Sequence, residues 1–201
     1  YRLVPIKTTY TDLWNAGRID TDLLYHNLME VYRYGNVADP RVYVDTFVNY
    51  NFNATNIRIA FARLGAELAR RGEKEKAVEV LDYGLEQMPV SQFQYTYQYL
   101  PYIRAYYEAG ATEKGDALFD SYAKNLEEYV DYFLSFPDNR QYLIENQFAD
   151  KLTALAELHR IAENYGRTDR AARILNLFDW LFGPEGQTDY TEYEQTVLPT
   201  E

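Results

Sequence analysis

The stretch FARLGAELARRGEKEKAVEVLDYGLEQMP, residues 61–89, decides the fold. Small and apolar residues recur at helical spacing through Phe61, Leu64, Gly65 and Leu68, and again through Ala77, Val80, Leu81 and Leu85. Arg70-Arg71-Gly72 separates the two sets. Basic residues in a last turn face the negative end of the helix dipole, and a glycine beyond them takes the left-handed conformation that ends a helix. Pro89 closes the second set. The pattern predicts two antiparallel helices joined by a tight turn.

Two later stretches repeat the layout. From Tyr99 the chain reads YLPYIRAYYEAGATEKGDALFDSYA with Gly110 as the breaker, and from Leu155 it reads LAELHRIAENYGRTDRAARILNLFDWLFGP with Gly166. In all three a small residue follows the glycine by five positions, at Ala77, Gly115 and Ala171, where it lets one helix approach another closely. The register is that of the tetratricopeptide repeat, a helix–turn–helix unit of about 34 residues with the pattern W-x2-L-G-x2-Y…A-x3-F…P. The first copy supplies Phe61, Leu64, Gly65, Leu68, Ala77, Leu81 and Pro89. The second supplies Tyr99, Tyr102, Ile103, Tyr106, Gly115 and Phe119 without the proline. The third supplies Leu155, Leu158, His159, Ala162, Ala171 and Leu175, with Pro184 one place late. The copies start 38 and then 56 residues apart, so the extra length is expected to extend the helices on either side of a turn at 135–140, where Pro137-Asp138 makes a break and a helix start.

The expected fold class is therefore all-α, with tetratricopeptide-like hairpins stacked as a short right-handed α-solenoid over residues 55–182. Residues 1–54 are expected to form an extended segment and a helix packed on the array. Asp20 or Asp22 caps that helix, which should run to about Tyr34 with Leu23, Leu24, Leu28 and Val31 on one face and Gly35-Asn36 ending it. Residues 36–54 fit strand-like alternation and helical spacing equally and are taken as a lead-in. Residues 183–201 are acidic and poor in aliphatics, and are expected to be loosely ordered.

The composition excludes several functions. Apolar residues make up 47% and charged residues 25% of the 201 positions, an ordinary globular balance. The net charge of −11 argues against a general electrostatic grip on nucleic acid or anionic lipid. There is no cysteine, which removes disulfides, thiol nucleophiles and thiolate metal sites. No apolar run approaches the roughly 20 residues of a membrane span. Because the first residue is Tyr1, the chain reads as a piece of a longer protein.

The chemistry-bearing residues are sparse. His26 and His159 are the two histidines, and His159 falls where the repeat wants a small packing residue. No cofactor or metal is expected. Glu127, Glu128 and Asp131 lie at helical spacing and read as a solvated face, while Glu192 and Glu194 are a further acidic pair. A hydrolase working through paired carboxylates is the weakest alternative. No glycine-rich phosphate loop and no G-x-S-x-G elbow appears. Asn53-Ala54-Thr55 matches a glycosylation sequon, which has meaning only in a eukaryotic secreted protein.

What remains is a groove. In stacked helical repeats the first helix of each pair lines the concave face, and by register this face takes Arg70, then Tyr97, Arg104 and Tyr107, then Arg160 and Glu163. Three arginines and two tyrosines in a row would suit an acidic peptide or a sugar. The competing assignment has the tyrosines packed against neighbouring helices and the arginines merely solvated.

YRLVPIKT, GRIDTDLLYHNLMEVYRYGN, DPRVYVD, FARLGAELARRGEKEKAVEVLD and LPYIRAYYEAGATEKGDALF together resemble the C-terminal soluble part of a bacterial membrane-protein family, described as protein O-mannosyltransferase-like and of unknown function. The resemblance covers about residues 1–135. It implies a multi-spanning domain preceding this chain, similar to lipid-linked-sugar glycosyltransferases, with the present residues on the extracytoplasmic, periplasmic side of the inner membrane. Partners implied are that membrane domain and an acceptor protein, peptide or glycan. The family's catalytic acid lies in the membrane domain, so no catalytic residue is carried here. The rival reading is a free-standing soluble adaptor of tetratricopeptide type that binds peptides.

Overall fold

In the computed structural model, residues 19–45, 47 and 54–197 are described, and among them there are helices and turns and no strand. The expected extended segment at 1–17 and most of 46–53 lie outside the described residues. A short helix α1 (Thr21–His26) opens into a π-turn over Asn27–Val31. Three helix pairs follow: α2 (Thr55–Arg70) with α3 (Lys74–Gln87), α4 (Tyr99–Glu108) with α5 (Thr112–Leu134), and α6 (Glu145–Asn164) with α7 (Thr168–Val197).

The three pairs turn in the same way. Gly72, Gly110 and Gly166 have φ of 85°, 79° and 66°, in the left-handed region that side-chain-bearing residues rarely adopt. After each glycine the next backbone N–H returns to a carbonyl five residues earlier: Glu73 to Leu68, Ala111 to Tyr106 and Arg167 to Ala162, at 2.7–2.9 Å. This closes the last turn of the first helix and reverses the chain within three residues.

The pairs then stack in chain order. Helix α2 packs on α3 and on α4, α4 on α5 and α6, α5 on α6, and α6 on α7. Helix α4 is enclosed on nearly all sides. Tyr102, Ala105 and Tyr106 belong to a core with α2 and α3, while Tyr99, Ile103 and Tyr107 belong to a core with α5, α6 and α7. The 56-residue spacing is taken up as expected: α5 and α6 overrun their partners, joined through a 3-10 turn at Asp138–Leu143, with Phe133 stacked on Phe148.

Small residues set the closest helix approaches. A Cβ on Gly65 would lie 2.7 Å from Leu81, one on Gly84 would lie 2.5 Å from the Tyr102 hydroxyl and 2.8 Å from Phe61, and one on Gly115 would lie 2.7 Å from Tyr107. Every repeat-signature residue of the first two copies from Phe61 to Phe119 is buried except Pro89, which is partly exposed. In the third copy Leu175 is exposed. His159 is half-buried and faces Glu163.

The N-terminal helix departs from its expected course. Asp20 caps it, accepting from the Leu23 N–H at 3.1 Å. Helical backbone stops at Val31 rather than Tyr34, and the Tyr34 hydroxyl turns back to donate to the Leu28 carbonyl at 2.7 Å. Leu28 is buried and Leu24 partly so, but Leu23 and Val31 are exposed. A six-residue helix opening into a wider π-turn does not hold one face in register. Residues 36–45 are turns and irregular backbone, held by Gln92, whose side-chain amide donates to the Asp39 and Val42 carbonyls at 2.9 and 2.8 Å. Beyond a break at Gly183 the backbone of the acidic C-terminal stretch is helical to Val197.

The contact between Gly84 and Tyr102 yields a two-sided expectation. Gly84→Ala forces the overlap and should cost about 1–3 kcal/mol in denaturant unfolding. Tyr102→Phe removes a buried hydroxyl that has no hydrogen-bond partner and should change stability by less than about 1 kcal/mol. The double variant should recover part of the Gly84→Ala loss, and strictly additive effects would contradict the packing described.

Candidate binding face

The first helices α2, α4 and α6 present their solvent sides in sequence, and on them the expected groove residues separate into groups. Arg70 sits in the last turn of α2, mostly exposed and paired with Glu67, which also accepts from Arg71 Nε at 3.2 Å. Burial works to raise the Glu67 carboxyl, but the hydrogen bonds from Arg70 and Arg71 outweigh it and hold it below the usual range.

Arg104 and Arg160 are brought together by a residue that the sequence reading did not select. Glu157 accepts from Arg104 Nη2 at 2.5 Å and from Arg160 Nη2 at 2.7 Å on one oxygen, and from Arg160 Nε at 2.9 Å on the other. The pairing of Glu157 with Arg160 is legible as an i,i+3 spacing on α6. Its reach to Arg104 on α4 depends on how the helices stack and has no local signal.

Beside this bridge lies Glu108, which accepts from the Tyr165 hydroxyl at 3.1 Å. Its carboxyl is raised above the usual range by loss of solvent, against the pull of Tyr165, Arg104 and Arg70. Glu163 is exposed, 3.8 Å from His159 Nδ1. Tyr97 stands half-exposed just before α4.

Tyr107 does not line the open face. It is buried over Gly115, its ring lies 5.0 Å from Tyr165, and its hydroxyl donates to Asp116 at 2.8 Å. The face is thus a lattice of alternating charge rather than a cationic stripe. Arg70, Arg71, Arg104 and Arg160 are interleaved with Glu67, Glu108, Glu157 and Glu163.

On the second helices a separate ladder joins α5 to α7. Arg170 grips Asp120 with two bonds at 3.0 and 2.7 Å and reaches Asp116 at 3.2 Å, and Arg173 grips Glu127 at 2.8 and 2.7 Å. Paired donors on paired acceptors fix orientation as well as distance. Glu127 is therefore a structural partner of Arg173. Among the described residues no group of histidines and carboxylates is arranged to hold a metal ion, and no helix is long and apolar enough to cross a membrane. Comparison with protein-family models, curated proteins and solved structures finds no match for this chain.

The tyrosines give a pH expectation. Burial, reinforced by carboxylate neighbours, pushes Tyr106, Tyr107 and Tyr165 well above the ordinary tyrosine value of about 10, and burial does the same for Tyr34, Tyr102 and Tyr122. The unfolded chain therefore loses these protons first, so their contribution to stability is intact below about pH 10 and falls as pH rises above it. An alkaline titration should show a class of tyrosines that ionises only together with loss of helical circular dichroism. Free ionisation of all tyrosines before unfolding would contradict the burial.

Proposed function

We propose that the chain is a non-catalytic binding module of tetratricopeptide-like architecture, a short right-handed solenoid whose open face of first helices holds an extended protein or peptide segment. Three glycine-closed hairpins, and the burial of the repeat-signature residues other than Pro89 in the first two, support the architecture. The observation that carries the binding role is the Arg104–Glu157–Arg160 bridge. Partly exposed ion pairs contribute little to stability. This one fixes three long side chains across two helices, with two guanidinium groups sharing one carboxylate. An incoming carboxylate would meet guanidinium groups that are already oriented, so little ordering entropy would be lost on binding.

The resemblance to the O-mannosyltransferase-like family supports a setting for the module. It is the extracytoplasmic domain of a membrane glycosyltransferase-like protein, holding an acceptor segment or a partner while catalysis belongs to the membrane portion.

A displayed peptide library selected on the domain tests the role. Peptides so obtained should carry acidic side chains, and Arg104→Glu with Arg160→Glu should weaken their binding at least tenfold, about 1.4 kcal/mol. Lys124→Glu, on the exposed side of α5, should leave binding unchanged. Equal affinity for the double variant and the parent chain would sink the proposal.

A further inference from the structure

Arg104 and Glu108 stand four positions apart on α4, a spacing at which opposite charges commonly pair. Among the described residues no ion pair joins them, and each is instead drawn to α6. Arg104 gives Nη2 to Glu157 at 2.5 Å, and the Tyr165 hydroxyl donates to Glu108 Oε1 at 3.1 Å. The order disfavours a direct contact as well, since a cation one turn before a carboxylate is the weaker of the two arrangements.

Both side chains are braced. Glu157 is shared with Arg160, and the Tyr165 ring lies 5.0 Å from Tyr107, which is buried over Gly115 and donates to Asp116 at 2.8 Å. Neither side chain is used up. Among the described residues Arg104 Nε and Nη1 and Glu108 Oε2 have no partner, and Arg104 is partly exposed and Glu108 exposed. Arg70, the cation that reaches Glu108 from α2, is engaged by Glu67.

The spacing suits an extended chain. Four residues advance about 6 Å along a helix. Alternate side chains of an extended segment point the same way about 6.6–6.8 Å apart. A segment lying along α4 therefore sets one side chain against Arg104 and, two residues on, another against Glu108.

We propose that Arg104 and Glu108 form a two-charge subsite, and that the segment it takes carries an acidic side chain and, two residues along, a lysine or arginine. The inference rests on the binding role proposed for this face and narrows its ligand from an acidic segment to one of alternating charge. Glu108 sets the specificity, because it repels a run of acidic side chains that the arginines alone would accept.

The displayed library separates the two claims. Peptides selected on the parent chain should carry Lys or Arg two residues from the acid. Replacing that residue by Glu in the resynthesised peptide should weaken binding at least ~10-fold. On Glu108→Lys the preference should reverse, with the Glu-bearing peptide at least ~10-fold tighter than the original. Glu108→Gln, which keeps an acceptor for Tyr165, should bind the two peptides within about twofold of each other. Equal discrimination by the parent chain and Glu108→Lys would overturn the subsite and leave the role of Arg104 and Arg160 standing. Selected acidic peptides with no basic side chain at that spacing would do the same. A selection that returns no peptide contradicts the subsite and the binding role together.

Discussion

The stack depends on a guanidinium group that has almost no contact with water. Arg58, in the first turn of α2, is 2% exposed. Its Nη2 donates to the carbonyls of Met88 and Phe93 at 2.9 and 3.2 Å, and its carbon lies 5.2 and 4.6 Å from the ring centroids of Phe93 and Tyr99. Desolvating a charge costs several kcal/mol, so the arrangement holds only if those bonds and ring faces offset the cost together. The partners lie at the end of α3, within the link and at the start of α4. One side chain thereby fastens the irregular link at 88–98, the segment that decides where the second helix pair sits on the first. The same link carries Gln92, which holds residues 39–42, so the N-terminal stretch hangs from it too.

Given that placement, the tyrosine-rich composition follows. Helix α4 lies between two apolar clusters and has no solvated side wide enough for an ordinary amphipathic pattern. Its tyrosines fill both clusters, while Tyr106 and Tyr107 reach carboxylates at the margins, Asp82 and Asp116. Gly84 makes room for Tyr102, and Gly115 for Tyr107. What is left facing outward on α2, α4 and α6 is charged, and the arginines there find carboxylates on their own or adjacent helices.

Much of this was legible in the sequence because it is local. The glycine stops, the helix bounds around them, the cap at Asp20 and the overrun of α5 and α6 all arise from residues within one or two turns of each other. The rest depends on contacts between segments far apart in the chain. A lone arginine near the start of a helix reads as solvated, and only the packing of the 88–98 link over Arg58 makes it a core residue. Tyr107 and Tyr97 shared one register, yet Tyr107 is drawn inward by Asp116 and Tyr165 while Tyr97 stays half-exposed. Glu157 was not singled out at all, because its reach from Arg160 to Arg104 depends on how α4 and α6 stack. The early end of α1 reflects a π-turn, which has no pattern of its own at this length.

Replacing Arg58 by methionine, which keeps the volume and removes the charge and its donors, tests the dependence most directly. Unfolding free energy should fall by about 2–4 kcal/mol as the two carbonyls lose their partner, with proteolytic cleavage appearing first between residues 88 and 98. Stability within about 0.5 kcal/mol of the parent chain, with the link still resistant to protease, would show that the stack does not depend on the buried guanidinium.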